Sequence, residues 1–291
     1  MNQPLSDLLD RLRPERLEVN LFRGATRDPG WGRLYGGLVL AQALASAEAT
    51  VPEDRFVHSM HAYFLRAGDV SVPVIYQVDP IRDGRSFTTR RVVAIQNGKA
   101  ILNLAASFQG VEEGLSHQDD MPDVPPPEEL ESQWVLARKI SSQLPESIRK
   151  RWTTMGPMEH RQVDPWDPTH PNPRPPVRYV WYRATDKLPD DHRVHQRVLA
   201  WASDSHFLAT ANQPHGISWL TPGIQVASLD HAMWFHRPFR MDEWLLYAVD
   251  SQNANNSRGH VRGRFFTRDG TLVASTTQEG LMRDWRKRDG D

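Results

Sequence analysis

Cysteine is absent from all 291 residues, and that single absence removes several chemistries. No disulfide, thiolate zinc site, iron–sulfur cluster or cysteine nucleophile can form, so reactivity must rest on oxygen and nitrogen groups. An excess of charge is missing too: 35 Lys and Arg stand against 36 Asp and Glu. A balanced chain sets up no global field, so neither nucleic acid nor an anionic membrane is an expected partner. No apolar run approaches the ~18 residues that a membrane-spanning helix needs. The first residues, Met1 to Leu9, lack a basic start followed by an apolar core, and the last four (Arg288, Asp289, Gly290, Asp291) form neither a peroxisomal tripeptide nor a lipid-acceptor signal. A cytoplasmic location is the expectation. No Gly-x-Ser-x-Gly elbow, Gly-x-Gly-x-x-Gly, Walker loop or His-Glu-x-x-His set is present, so no metal and no redox cofactor are expected.

Proline is plentiful, with 22 residues, and it marks the layout. Its locked φ and missing N–H confine it to connections. Pro122 to Pro127 form one cluster and Pro157 to Pro176 a second. Between them Leu130, Trp134, Leu136, Ile140, Leu144 and Ile148 recur at helical spacing, which predicts one amphipathic helix over Glu128 to Trp152. Residues 111–176 therefore read as a Pro-rich linker holding one helix, between an N-terminal unit at 1–110 and a C-terminal unit at 177–291.

The two units look alike when overlaid. Each has an apolar helix candidate (Gly37 to Val51; Val194 to Ala211) followed by strand-like segments in the same order. His61-Ala62 matches His231-Ala232, Tyr76-Gln77-Val78-Asp79 matches Tyr247-Ala248-Val249-Asp250, and Asn97-Gly98 matches Asp269-Gly270. Duplication explains three ordered matches better than chance likeness of β-rich segments. A helix apolar nearly all round must be wrapped by other structure. The expected fold class is therefore α+β, with a curved antiparallel sheet around each central helix and the two units paired edge to edge.

Several segments resemble the acyl-CoA thioesterase II family: Gly24-Ala25-Thr26, Tyr35-Gly36-Gly37, the run His58 to Arg66, Val194-His195-Gln196 and, above all, Asp230-His231-Ala232-Met233-Trp234-Phe235-His236-Arg237-Pro238-Phe239. The resemblance covers essentially the whole chain. It implies two tandem hotdog folds, a double hotdog, that hydrolyse fatty acyl-CoA to free acid and CoA. Its catalytic set, carried onto this chain, falls on Asp204, Ser228 and Gln278. Ser228 stands where the family varies between Thr and Ser.

The chemistry suits that trio. A thiolate leaves without much help, since its conjugate acid has a pKa of about 8.5. Asp204 can take a proton from a water held by the Ser228 hydroxyl and the Gln278 amide, with backbone N–H groups of Gly36 and Gly37 stabilising the oxyanion. Attack by Asp204 itself, through a covalent anhydride, is the other route. The bland alternatives are a solvent-facing Asp204, satisfied strand polar groups at Ser228 and Gln278, and a simple helix-entry turn at Gly36-Gly37. The overlay sets His58 opposite Ser228, and the first helix carries Ala43, Leu44 and Ala45 where a base would stand. One active centre per chain follows, with His58 as a candidate polar contributor. The equal placing of His61 and His231 argues for structural roles. Two other functions stay open: a hotdog enoyl-CoA hydratase, although Asn-Pro does not follow Asp204, and a non-catalytic acyl-CoA binding module. Acyl-CoA is the expected small-molecule partner, and open sheet edges favour a homo-oligomer, a dimer or tetramer.

Overall fold

A computed structural model describes residues 1–287; the C-terminal residues 288–291 read above lie outside the described residues. The chain runs α1 (Gln3–Arg11), β1 (Glu15–Glu18), β2 (Leu21–Gly24), α2 (Gly36–Glu48), β3 (Phe56–Phe64), β4 (Val74–Asp83), β5 (Phe87–Gln96) and β6 (Lys99–Gln109). After α3 (Gln133–Lys139), α4 (Glu146–Thr153) and β7 (Met158–Gln162) come β8 (Val177–Ala184), α5 (His192–Ser203) and α6 (Phe207–Asn212). The last strands are β9 (Ile224–Ser228), β10 (Asp230–Phe235), β11 (Leu245–Asn255), β12 (Arg258–Thr267) and β13 (Leu272–Asp284).

All strands join one antiparallel sheet in the order β1-β2-β4-β5-β6-β3-β10-β13-β12-β11-β8-β7, with β9 pairing β13. Read inward from either end, β2-β4-β5-β6-β3 and β8-β11-β12-β13-β10 are the same arrangement, each bent around one helix. This is the α+β double hotdog. Every residue of α2 from Gly37 to Glu48 is buried, as its all-round apolar surface requires. The halves meet where β3 pairs with β10, with Met60 opposite Met233 and Ala62 opposite His231. That pairing closes one edge of each half and brings α2 against α5.

Three sequence expectations change. The single helix over Glu128 to Trp152 is two helices, α3 and α4, because Pro145 caps α4 and cannot lie inside a continuous helix. Beyond that segment, the Pro-rich stretch 111–176 also supplies a strand, β7, which pairs with β8. The second long helix ends early: α5 is capped by Asp204, and His206 takes a left-handed φ of 70° before α6 begins. A non-glycine residue there is uncommon and needs surrounding structure to hold it.

The third change concerns register. His61 is exposed and meets Trp234 edge-on, whereas His231 is fully buried. Their side chains leave opposite faces of the sheet, because neighbouring strand residues alternate faces. The Tyr76/Tyr247 match holds, and at the same offset the buried Met60 falls on the buried His231, one residue away from the His61/His231 match. At that offset Ser228 corresponds to Val57 rather than His58, since Val57 pairs with Phe108 as Ser228 pairs with Gly280. Gln278 corresponds to Ala106, and α2 ends on Ala49 where α5 ends on Asp204. The first half has none of the three polar groups.

Leu44 is fully buried in α2 within the main core. Leu44→Ala is expected to remove about 2–5 kcal/mol of stability, read as a lower urea midpoint with an unchanged slope.

Candidate active site

Asp204 stands where two helices meet. It caps the C-terminal end of α5, and its Oδ2 accepts the Gly37 N–H at the first turn of α2 (2.9 Å). The amide at a helix N-terminus has no partner in its own helix and suits an anion. Gly36 and Gly37 allow the approach. A Cβ on Gly36 would fall 2.7 Å from Asp204 Oδ2, and one on Gly37 2.2 Å from the Trp201 carbonyl oxygen. Tyr35 braces the junction by donating to the Trp201 carbonyl, with the Ser205 hydroxyl also 2.9 Å from its Oη.

The other carboxyl oxygen, Oδ1, is buried and closes no hydrogen bond. Burial pushes the Asp204 pKa up to about 7, against the opposing pull of the Gly37 N–H and of the nearby Ser228 and Gln278 side chains. Ser228 ends β9 and Gln278 lies on β13, which pairs with it; Gln278 Nε2 donates to Ser228 Oγ at 2.8 Å. Behind them, His231 Nδ1 meets Gln278 Oε1 at 2.8 Å, and Ser203 Oγ meets His231 Nε2 at 3.0 Å. Burial holds His231 neutral, with a pKa down to about 4, so its ring has one donor and one acceptor. Gln278 Oε1 can only accept, so Nδ1 carries the proton and Nε2 is the acceptor facing the Ser203 hydroxyl, whose one proton the Ala200 carbonyl, also at 3.0 Å, shares. The chain runs one way, Ser203 to His231 to Gln278 to Ser228. Its last member keeps a hydroxyl proton to direct at Asp204 or a ligand.

The structure thus gathers Asp204, Ser228, Gln278, Gly36 and Gly37. The Gly37 N–H is already given to Asp204, so of the two amides proposed for an oxyanion only Gly36 remains. His58 is not part of the group. It sits in the β3 bulge, bonds Ser107 Oγ at 2.8 Å and faces a separate cavity of about 1180 Å³ whose lining includes His195, Phe235 and Trp244 but none of the trio. His231 was passed over because the misaligned match paired it with His61; the alternation of buried residues along β3 and β10 was the signal that could have found it. Four arginines that could otherwise meet the phosphates of CoA are engaged in ion pairs: Arg90 with Asp83, Arg91 with Asp79, Arg258 with Glu279 and Arg262 with Asp250. Among the described residues no three His, Asp or Glu side chains cluster as metal ligands would.

Residues 27–109 match the model of the acyl-CoA thioesterase N-terminal domain, and residues 163–281 match that of acyl-CoA thioesterase. "Acyl-CoA thioesterase 2" of Haemophilus influenzae is 40% identical over 97% of this chain and 99% of its own length. The chain belongs to the acyl-CoA thioesterase family. Human acyl-coenzyme A thioesterase 8 is also 40% identical, over 92% of this chain and 86% of its own. The acyl-CoA thioesterase II TesB2 structure of Mycobacterium marinum superposes with a TM-score of 0.76 at 40% identity, covering 95% of this chain and 98% of that one. As a member of this thioesterase family the chain is a thioester hydrolase, which closes the hydratase and non-catalytic readings. No helix among the described residues is long and apolar enough to cross a membrane.

The raised Asp204 pKa has a consequence for stability. A carboxyl whose pKa is higher folded than unfolded favours the fold while protonated, and that contribution is lost as pH rises from about 4 through 7. Asp204→Asn, which stays neutral, should therefore be more stable than the parent at pH 8, by up to about 4 kcal/mol, and near parity at pH 4. Urea midpoints at the two pH values measure it.

Proposed function

We propose that the chain hydrolyses fatty acyl-CoA to free fatty acid and CoA at one centre per chain. Asp204 is the base, and Ser228 and Gln278 hold the attacking water. The observation that carries this reading is a buried carboxyl with a pKa near neutrality whose Oδ1 is unpartnered beside a polarised Ser228–Gln278 pair. A base works best when its pKa lies near the working pH. The carboxylate takes a proton from water as the oxygen attacks the thioester carbon. The Gly36 N–H, the first of α2 and without an intrahelical acceptor, receives the developing oxyanion. Collapse expels CoA thiolate, which needs no strong acid.

Supporting the single centre, the first half has Val57, Ala106 and Ala49 in the corresponding positions. The adjacent carboxylate, Glu48, is tied to Arg197. On this reading residues 1–110 are the non-catalytic unit, 177–291 the catalytic unit and 111–176 the linker, with the first unit forming part of the acyl pocket. The enzyme then serves fatty acid and lipid metabolism in the cytoplasm as a homo-oligomer, a dimer or tetramer. The open outer edges at β1 and β7 favour that association.

Thiol release from a panel of acyl-CoAs is the direct test. Asp204→Asn should lower kcat at least about 100-fold, and parent kcat/KM should climb tenfold per pH unit before levelling near pH 7. A variant as fast as the parent would remove Asp204 from the mechanism. Single turnover in oxygen-18 water reads where water attacks: label in the Asp204 carboxyl marks an anhydride opened at the Asp204 carbon, and label only in the fatty acid marks water attack at the acyl carbon.

His231 acts through Gln278 rather than on substrate. His231→Leu should cut kcat about tenfold while KM and the pH limb near 7 hold, because the base is intact and only the amide loses its orientation.

A further inference from the structure

Beyond Asp204 the chain turns through Ser205 into His206, and the left-handed turn sets the His206 ring against a buried polar cluster on β7 and β8. Its ring lies 5.4 Å from that of His160 and 5.8 Å from that of Tyr182. His160 is paired with Tyr182 across the strands and stacked on it at 5.4 Å. Arg178 and Tyr182 share a face of β8 by alternation. The Arg178 guanidinium lies 5.4 Å over the Trp166 ring.

This arginine is 92% buried, and its partners are neutral. Nε donates to Gln213 Oε1 at 2.9 Å, and Nη1 lies 3.2 Å from His206 Nδ1. Among the described residues no carboxylate pairs with it. Burial lowers its pKa only to about 10, so it stays charged at neutral pH, while burial keeps His160 and His206 uncharged. Around this lone charge several buried groups close no hydrogen bond: Arg178 Nη2, Trp166 Nε1, Tyr182 Oη and His160 Nδ1. Ser205 gives its proton to Tyr35, whose own goes to Trp201, and its oxygen is left, among the described residues, as the one protein acceptor near the Tyr182 phenol. Three of the four are obligate or available donors, and a buried cation without a counter-ion is costly. Buried polar groups are otherwise almost always satisfied.

We infer that Arg178, Trp166, Tyr182 and His160 form a binding site for a carboxylate-class anion, adjoining the Asp204 turn. A planar two-oxygen anion matches the guanidinium edge, and its lone pairs accept from the indole N–H and phenol O–H. Beside an acyl-CoA hydrolase that chemistry has two sources: a free carboxylic acid, or a carboxylate at the far end of a substrate acyl chain. The site does not depend on the roles given to Asp204, Ser228 and Gln278.

The test is a melting curve of the full chain with sodium acetate, at constant ionic strength held by bulky HEPES, with chloride as the control anion. Acetate should raise Tm saturably by about 2–4 °C, and chloride should not. Arg178→Met should abolish the shift, and Tyr182→Phe, the milder change, should weaken acetate binding about tenfold. Thiol release from adipoyl-CoA against hexanoyl-CoA assigns the source. A parent preference for adipoyl-CoA that falls at least tenfold in Tyr182→Phe marks the distal carboxylate, and an unchanged ratio marks the free acid. No acetate shift in the parent, an equal shift with chloride, or a full shift retained in both variants would overturn the site. Because Tm is read without turnover, these results stand whether or not the proposed mechanism does.

Discussion

The antiparallel pairing of β3 with β10 is the constraint on which the remainder depends. It joins two sheets that would otherwise each expose an edge, and it sets α2 against α5 so that the first turn of one helix faces the last turn of the other. Asp204 occupies that contact. Its carboxyl meets the favourable end of α2 while capping the unfavourable end of its own helix. The half that carries Asp204 therefore needs the other half. Gly37 supplies an amide that no residue of the second half provides, and its own side-chain hydrogen atom is all that the Trp201 carbonyl leaves room for.

Stability and reactivity oppose each other at this junction. A carboxyl at the surface would keep its ordinary acidity and cost nothing, yet it would be a weak base. Burial raises its proton affinity toward neutrality and makes the charged form a burden on the fold. The Ser203-His231-Gln278-Ser228 chain is the compensating structure. It gives each buried polar member a partner and leaves the last hydroxyl with a proton to donate. The Arg178 cluster, a few residues further on, differs in kind, because its charge is left without an opposite within the chain.

The misreading of His61 and His231 shows how the sequence overlay could identify a repeat and still miss its register. Matching letters rewarded two His-Ala pairs, but a strand has a period of two, so a slip of one residue exchanges the core face for the solvent face. The slip promoted His58 to a counterpart of Ser228 and set His231 aside. Burial alternation along both strands restores the pairing of Met60 with His231 and of Val57 with Ser228. Likewise the helical spacing around Leu144 was real, but it could not report that Pro145 divides it.

The amino-acid sequence by itself determined the cysteine-free chemistry, the repeated order of helix and strands, and the resemblance that named Asp204, Ser228 and Gln278, because these rest on composition, local periodicity and short motifs. Tertiary structure alone decided that Gly37 binds Asp204 rather than a reacting oxygen, that His231 stands behind Gln278, and that Arg178 is buried without a carboxylate. Each depends on groups far apart in the chain and on the burial they share. Proton affinity and hydrogen-bond direction follow from that shared environment, and it exists only once the two halves have closed on each other.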